Sequence, residues 1–238
     1  DEELKRSLHR RLAEVVDEPE ARARHLAFGA SAADLEIAAE LDEAAHAALA
    51  RGAPSAAAEL LELAIALTPP GHEDALRRGK LAAAEAHFSS GALERGSEIL
   101  LALLEELPPG DERADALVRL AHGSHDLERI VELAERARRE LVDDDAVRSR
   151  VHLLLGHAWP LRGMASALED GRLALDYAER SGERRLILDV AARLSLWELW
   201  AGRDPSDLLE RAVALEQPDD DLRGYRSPRM ALALLRMY

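Results

Sequence analysis

Five glycines, Gly52, Gly91, Gly123, Gly163 and Gly202, divide the chain at intervals of 39, 32, 40 and 39 residues. Seven residues before each of them stands a small residue: Ala45, Ala84, Ala116, Gly156 and Ser195. Glycine takes the left-handed conformation just past a helix C-terminus without a Cβ clash, so each glycine reads as a turn that reverses the chain. Two helices approach closely only where no bulky side chain intervenes, and the small residue at a fixed place marks that crossing in each unit. Nineteen residues after the turn, Gly71, Gly110 and Gly182 close three of the second helices, while Val142 and Asp221 hold that place in the others. A unit of this kind cannot bury its apolar face alone. A fixed period of such length therefore implies stacked helical hairpins, an α-solenoid.

The clearest unit runs from Leu81 to Gly110. Leu81, Ala84 and Phe88 share one face of its first helix, and Ile99, Leu100, Leu103, Leu104 and Leu107 supply the apolar side of its second. Pro108-Pro109-Gly110 then stops the helix, because proline lacks the amide donor and crowds the preceding turn. By the same signals the first hairpin pairs Ala33 to Arg51 with Pro54 to Leu67, and the second spans Glu73 to Leu107. The third runs from Asp111 to Glu140, the fourth from Ala146 to Ser181 and the fifth from Glu183 to about Leu215. Pro160 predicts a stop or kink near Trp159. Asp143 to Asp145 place acids where the next helix starts and its dipole favours them. Residues 1–28 hold two short helices parted by Asp17-Glu18-Pro19, and Tyr225 to Tyr238 reads as the first helix of a sixth unit. Leu232, Leu235 and Tyr238 would lie uncovered on it, so self-association through this C-terminal helix is expected.

The fold class that follows is all-α: about five antiparallel hairpins plus terminal helices. Composition agrees, with 47% hydrophobic residues but only 3% aromatic, and with Ala and Leu dominant over the β-branched residues that favour strands. A net charge of −15 opposes direct contact with a nucleic-acid backbone, for which a basic face is the usual footprint. Zero cysteines exclude disulfides and thiolate metal sites and accord with a cytoplasmic location. No apolar run is long enough to predict a membrane span.

Candidate chemistry is sparse. Arg78-Gly79-Lys80 lacks the spacing and the following hydroxyl of a phosphate-binding loop. His122, His125 and Asp126 flank a turn without a further ligand, so no metal site is expected and turn polarity explains them. His152 and His157, five residues apart, diverge around a helix, and no catalytic residue is predicted. The acidic runs Asp143 to Asp145 and Asp219 to Asp221 lack an EF-hand pattern and read as solvated loops. The more suggestive group is Trp159, Arg193, Trp197 and Trp200, on the first helices of the fourth and fifth hairpins. These side chains either wall a ligand or partner groove or, as plain core, fill the gaps between repeats.

Leu155-Gly156, Trp159 and Gly163 follow the leucine-glycine, aromatic and turn-glycine order of the tetratricopeptide signature, which the chain resembles with a period nearer forty than about 34 residues. Further text narrows the likeness: Leu8 to Glu14, Pro19 to Ala27, Ala50 to Leu60, and Leu67-Thr68-Pro69. It is similar to the helical sensor region of large ATP-dependent LuxR-type bacterial transcription regulators, relatives of the maltotriose-responsive activator among the STAND ATPases. That resemblance implies that residues 1–28 form a junction from an ATPase and winged-helix region, and that residues 29–238 are a tetratricopeptide-like repeat domain continuing past the C-terminus. It implies a regulatory module that senses a small-molecule effector or a protein partner. No cofactor is implied in this segment, ATP belonging to the parent protein, and DNA would be read elsewhere in that protein. The alternative is a free-standing scaffold that binds a peptide or protein.

Overall fold

The computed structural model describes residues 1–217 and 227–236, apart from the Leu234 side chain. The acidic run Asp219 to Asp221, Tyr225 and Tyr238 lie outside the described residues. Every regular element among those described is a helix. The chain divides into two compact units, Asp1–Glu106 and Leu107–Tyr238.

The first unit contains α1 (Glu2–Ala13), α2 (Pro19–Gly29), α3 (Leu35–Ala50), α4 (Pro54–Leu67), α5 (Glu73–Ser90) and α6 (Leu93–Glu106). Each helix packs on the next in sequence: α1 on α2, α2 on α3 and α4, α3 on α4, α4 on α5, and α5 on α6. Helix starts follow local chemistry. The Asp34 carboxylate accepts from the amides of Glu36 and Ile37, satisfying donors that the first turn leaves orphaned. Pro19 and Pro54 open α2 and α4, where a missing amide costs nothing. The apolar faces meet in a core built mostly of alanine and leucine, with Leu41, Ala45, Leu60 and Ala83 wholly buried. A polar tie joins the first hairpin to the second: Glu62 on α4 accepts from Arg95 on α6 at 2.9 Å and meets His87 Nε2 on α5 at 2.7 Å. The hydrogen bond from Arg95 outweighs burial and, helped by His87, holds the Glu62 carboxyl below its ordinary value.

The second unit contains α7 (Asp111–His122), α8 (Leu127–Glu140), α9 (Asp145–His157), the single turn α10 (Trp159–Arg162), α11 (Met164–Ser181), α12 (Arg184–Trp200), α13 (Ser206–Leu215) and α14 (Pro228–Leu235). Here α7 packs on α8, α9 on α11 and α12 on α13, while α8 meets α9 and α11 meets α12. Helix α9 ends at His157 and α10 begins at Trp159, so the break falls where Pro160 predicts it. Asp144 caps α9 by accepting from the Val147 amide at 2.9 Å, as the acidic run ahead of that helix suggests. Helix α14 packs on α12 and α13 and buries Ala231; Leu232 and Leu235 are half-buried rather than uncovered as the sequence suggested, because α12 and α13 cover that side, and Met230 is 48% exposed.

The small residues at the expected crossings are all in the core: Ala45, Ala84 and Ala116 have no exposed surface and Ser195 has 1%. At Gly156 there is no room even for a methyl group, since a Cβ there would lie 2.6 Å from the Trp197 ring. Of the eight glycines read as chain reversals, seven have positive φ, including Gly91 at 85° and Gly182 at 71°. Gly123 is the exception and corrects the sequence reading. Its φ is −78°, in the ordinary right-handed region. The third hairpin turns through a longer connection instead, in which Ser124 Oγ accepts from the Asp126 amide and Asp126 caps α8. No residue there has to take the left-handed conformation.

Candidate ligand site

Trp159 opens α10 and Trp200 closes α12, and the structure brings the two together with ring centroids 6.1 Å apart and planes tilted by 52°. Both reach solvent, Trp159 at 36% and Trp200 at 59% exposure, and the exposed Leu161 stands on the same short helix. Trp197 is placed differently. It is 4% exposed, and its ring lies over Gly156 and Gly171 of the preceding hairpin, where a Cβ on either glycine would meet it at 2.6 and 3.1 Å. It therefore fills the seam between the fourth and fifth hairpins and is not available to a ligand. Arg193 is largely buried and donates from Nε to Asp189 Oδ1, four residues back on the same helix, at 3.0 Å. The four residues singled out by the sequence thus resolve into an exposed pair, an ion-paired arginine and one core side chain. Spacing puts Arg193, Trp197 and Trp200 on one side of α12 and cannot separate them. The neighbouring glycines decide the matter for Trp197, and the end of the helix leaves Trp200 uncovered.

Behind α10 lies a buried polar group that helical spacing did not find. His152 Nδ1 on α9 is 2.9 Å from Asp170 Oδ1 on α11. Arg162 on α10 donates to the other Asp170 oxygen and to the Leu155 carbonyl at 3.0 Å. Burial alone would push the Asp170 carboxyl up, but the hydrogen bonds from His152 and Arg162 outweigh it and hold the group below its ordinary value. The three residues tie together the helices on either side of the Pro160 break. The partner of His152 is 18 residues away on another helix, so its separation from His157 was uninformative. A usable signal existed in Asp170 itself, a charged residue among the buried Ala167, Leu168, Gly171 and Ala174 of α11.

The outer face of this group opens on a pocket of about 290 Å³ between α8, α9 and α11, lined by Arg138, Leu141, Arg148, Val151, His152 and Tyr177. The Tyr177 ring stacks on His152 with planes 13° apart, and the guanidinium carbons of Arg148 and Arg180 sit 5.2 and 4.7 Å from its centroid. Such cation–π contacts hold the aromatic ring in place.

The first unit has a trough of about 480 Å³ between α3 and α5, floored by α4. Its lining is small and apolar, with Ala38, Ala64, Ala75 and Gly79, and Asp42, His46 and Arg78 supply polar groups. Among the described residues no group of three or more His, Asp or Glu side chains is arranged to hold a metal ion. The His122 ring instead meets the Val118 carbonyl at 3.1 Å within α7. No helix among the described residues is long and apolar enough to cross a membrane. The chain matches no protein-family model and no curated protein.

Proposed function

We propose that this chain is the sensor and protein-interaction module of a bacterial LuxR-type transcription regulator, non-enzymatic itself, that binds an effector or partner and relays the event to ATPase and DNA-binding domains of the same protein. The observation that carries the binding role is the exposed Trp159–Trp200 pair. Two large aromatic rings held in contact at a surface offer a rigid apolar platform, of the kind that anchors ligands and partners at small conformational cost. The regulatory context comes from the resemblance of residues 8–14, 19–27 and 50–60 to such regulators, and the net charge of −15 supports a module that leaves DNA contact to another domain. A relay through packed hairpins requires that the effector bind one arrangement of them more tightly than another.

Reading the coding frame on both sides of the segment tests the context. A phosphate-binding loop upstream and a helix-turn-helix downstream are the expected result; a start codon just before Asp1 and a stop soon after Tyr238 would overturn it. In the full regulator, Trp159→Ala with Trp200→Ala should abolish the effector response while lowering the melting midpoint by only a few degrees, since Trp159 is 36% and Trp200 59% exposed; an effector response that survives would overturn the binding role. The second reading is a free-standing scaffold, favoured by the small-residue trough over α4, whose apolar lining with a few polar groups suits a peptide side chain. Self-association through α14 is compatible with either reading, and light scattering at high protein concentration checks it.

A further inference from the structure

The pocket beside His152 has a composition at odds with the chain around it. The protein carries a net charge of −15, yet this cavity is lined by two guanidinium groups, an imidazole and a phenol, with no carboxylate among the lining residues. We propose that it is a binding site for a small anion of the carboxylate or phosphate class. The site is formed by side chains other than the exposed tryptophans and does not rest on the regulatory reading above.

Each lining group has a place in that role. Asp170 is an acceptor and fixes a proton on His152 Nδ1, which leaves Nε2 as the nitrogen free to serve a ligand. Nε2 then accepts from a hydroxyl that the ligand retains, such as that of a hydrogen phosphate. Arg148 spends one amino group on Asp145 at 2.8 Å and another on the Val142 carbonyl at 2.9 Å, contacts that hold its plane against Tyr177 without exhausting its five donors. Arg138 is paired with Glu135, one turn earlier on α8, through Nε at 3.0 Å and Nη2 at 2.8 Å, which leaves its other terminal nitrogen, Nη1, for a ligand. Two guanidinium groups on different helices provide the forked donors that planar oxyanions accept best. Leu141 and Val151 supply an apolar wall, and the volume of about 290 Å³ is ample for a phosphate or a short dicarboxylate. The charged groups around His152 are Arg138 with its partner Glu135 from α8, Arg148 with its partner Asp145 from α9, Arg162 from α10, and Asp170 and Arg180 from α11, Asp145 also accepting from Arg180. Asp170 is the carboxylate in direct contact with the ring, and it is already shared with Arg162.

Isothermal titration of the whole chain with inorganic phosphate and, separately, with succinate at fixed ionic strength tests the proposal. The expected result is saturable binding of one of them at one site per chain. Arg138→Gln should weaken it about tenfold or more, the loss of a charge-assisted hydrogen bond. Arg148→Gln should do the same. Arg138 is exposed over half its side chain, so its variant folds and carries the test even if Arg148→Gln is destabilised. Arg129→Gln, at an exposed arginine on α8 outside the pocket, should leave binding unchanged. Preference for phosphate or for succinate assigns the class of the natural ligand. Absence of saturation by both probes would overturn the site, as would equal weakening by Arg138→Gln and Arg129→Gln, which is the mark of diffuse surface attraction.

Discussion

Gly156→Ala puts one methyl group into the tightest crossing of the fourth and fifth hairpins. A Cβ there would lie 2.6 Å from Trp197 Cζ3, 2.7 Å from Cη2 and 3.3 Å from the Ala167 carbonyl oxygen. Carbon atoms at their best separation are about 3.5–4.0 Å apart, so the ring must retreat by about 1 Å. The same Cζ3 edge lies 3.1 Å from where a Cβ on Gly171 would stand, so the ring is seated closely against both glycines. Overpacking a core in this way costs about 1–3 kcal/mol. Against it runs the better helix propensity of alanine, which contributes about 1 kcal/mol in a helix interior. The net expectation is destabilisation by about 0–2 kcal/mol, a fall in melting temperature of up to roughly 8 °C for a chain of this size. Urea unfolding followed by far-ultraviolet circular dichroism measures it without relying on the displaced indole. The decisive comparison is a double-mutant cycle with Trp197→Phe. Cζ3 and Cη2 belong to the six-membered ring that phenylalanine lacks at that reach, so Gly156→Ala in the Trp197→Phe background should be neutral or stabilising. The coupling should be about 1 kcal/mol or more. A Gly156→Ala protein as stable as the parent, with no coupling, would refute the crossing.

Two further outcomes follow from backbone geometry and from the buried carboxylate. Gly91 has φ 85° and no atom within 4 Å of a Cβ, so Gly91→Ala meets conformational strain alone and should cost about 1–2 kcal/mol in chemical denaturation, whereas Gly91→Asn should cost less because asparagine tolerates that conformation. Asp170 is held below its ordinary value in the folded chain, so its stabilisation is present above the unfolded value of about 3.9 and is lost as pH falls through the lower folded value. Asp170→Asn should therefore be less stable at neutral pH by about 1.5–3 kcal/mol and show a shallower loss of stability in acid, read from melting midpoints across that range. A variant with an unchanged acid profile would mean that His152 and Arg162 do not stabilise the charged form.

Tests of this kind bear on how the sequence and the structure divide the information. Periodicity was enough for the hairpins, because a helix needs only an apolar stripe at its own repeat and a residue that lets the chain turn. The Pro160 break, the Asp144 cap and the buried Ala45, Ala84 and Ala116 were legible for the same reason: each depends on residues a few positions apart. Gly123 escaped because a glycine signals permission for a left-handed turn, and the Ser124 and Asp126 side chains made that permission unnecessary. The site was less legible. Trp197 and Trp200 look alike from spacing, and only the glycines of another hairpin show that one of them is buried. His152, Tyr177, Arg148 and Arg138 come from three helices and become a pocket through packing across distances in sequence that no local pattern encodes. The sequence by itself determined where the helices run and which of their faces are apolar, since those follow from short-range sterics and hydrophobicity. Which polar groups those faces enclose was decided by the tertiary structure, because partners in a stack of hairpins are chosen by the helix that lands opposite.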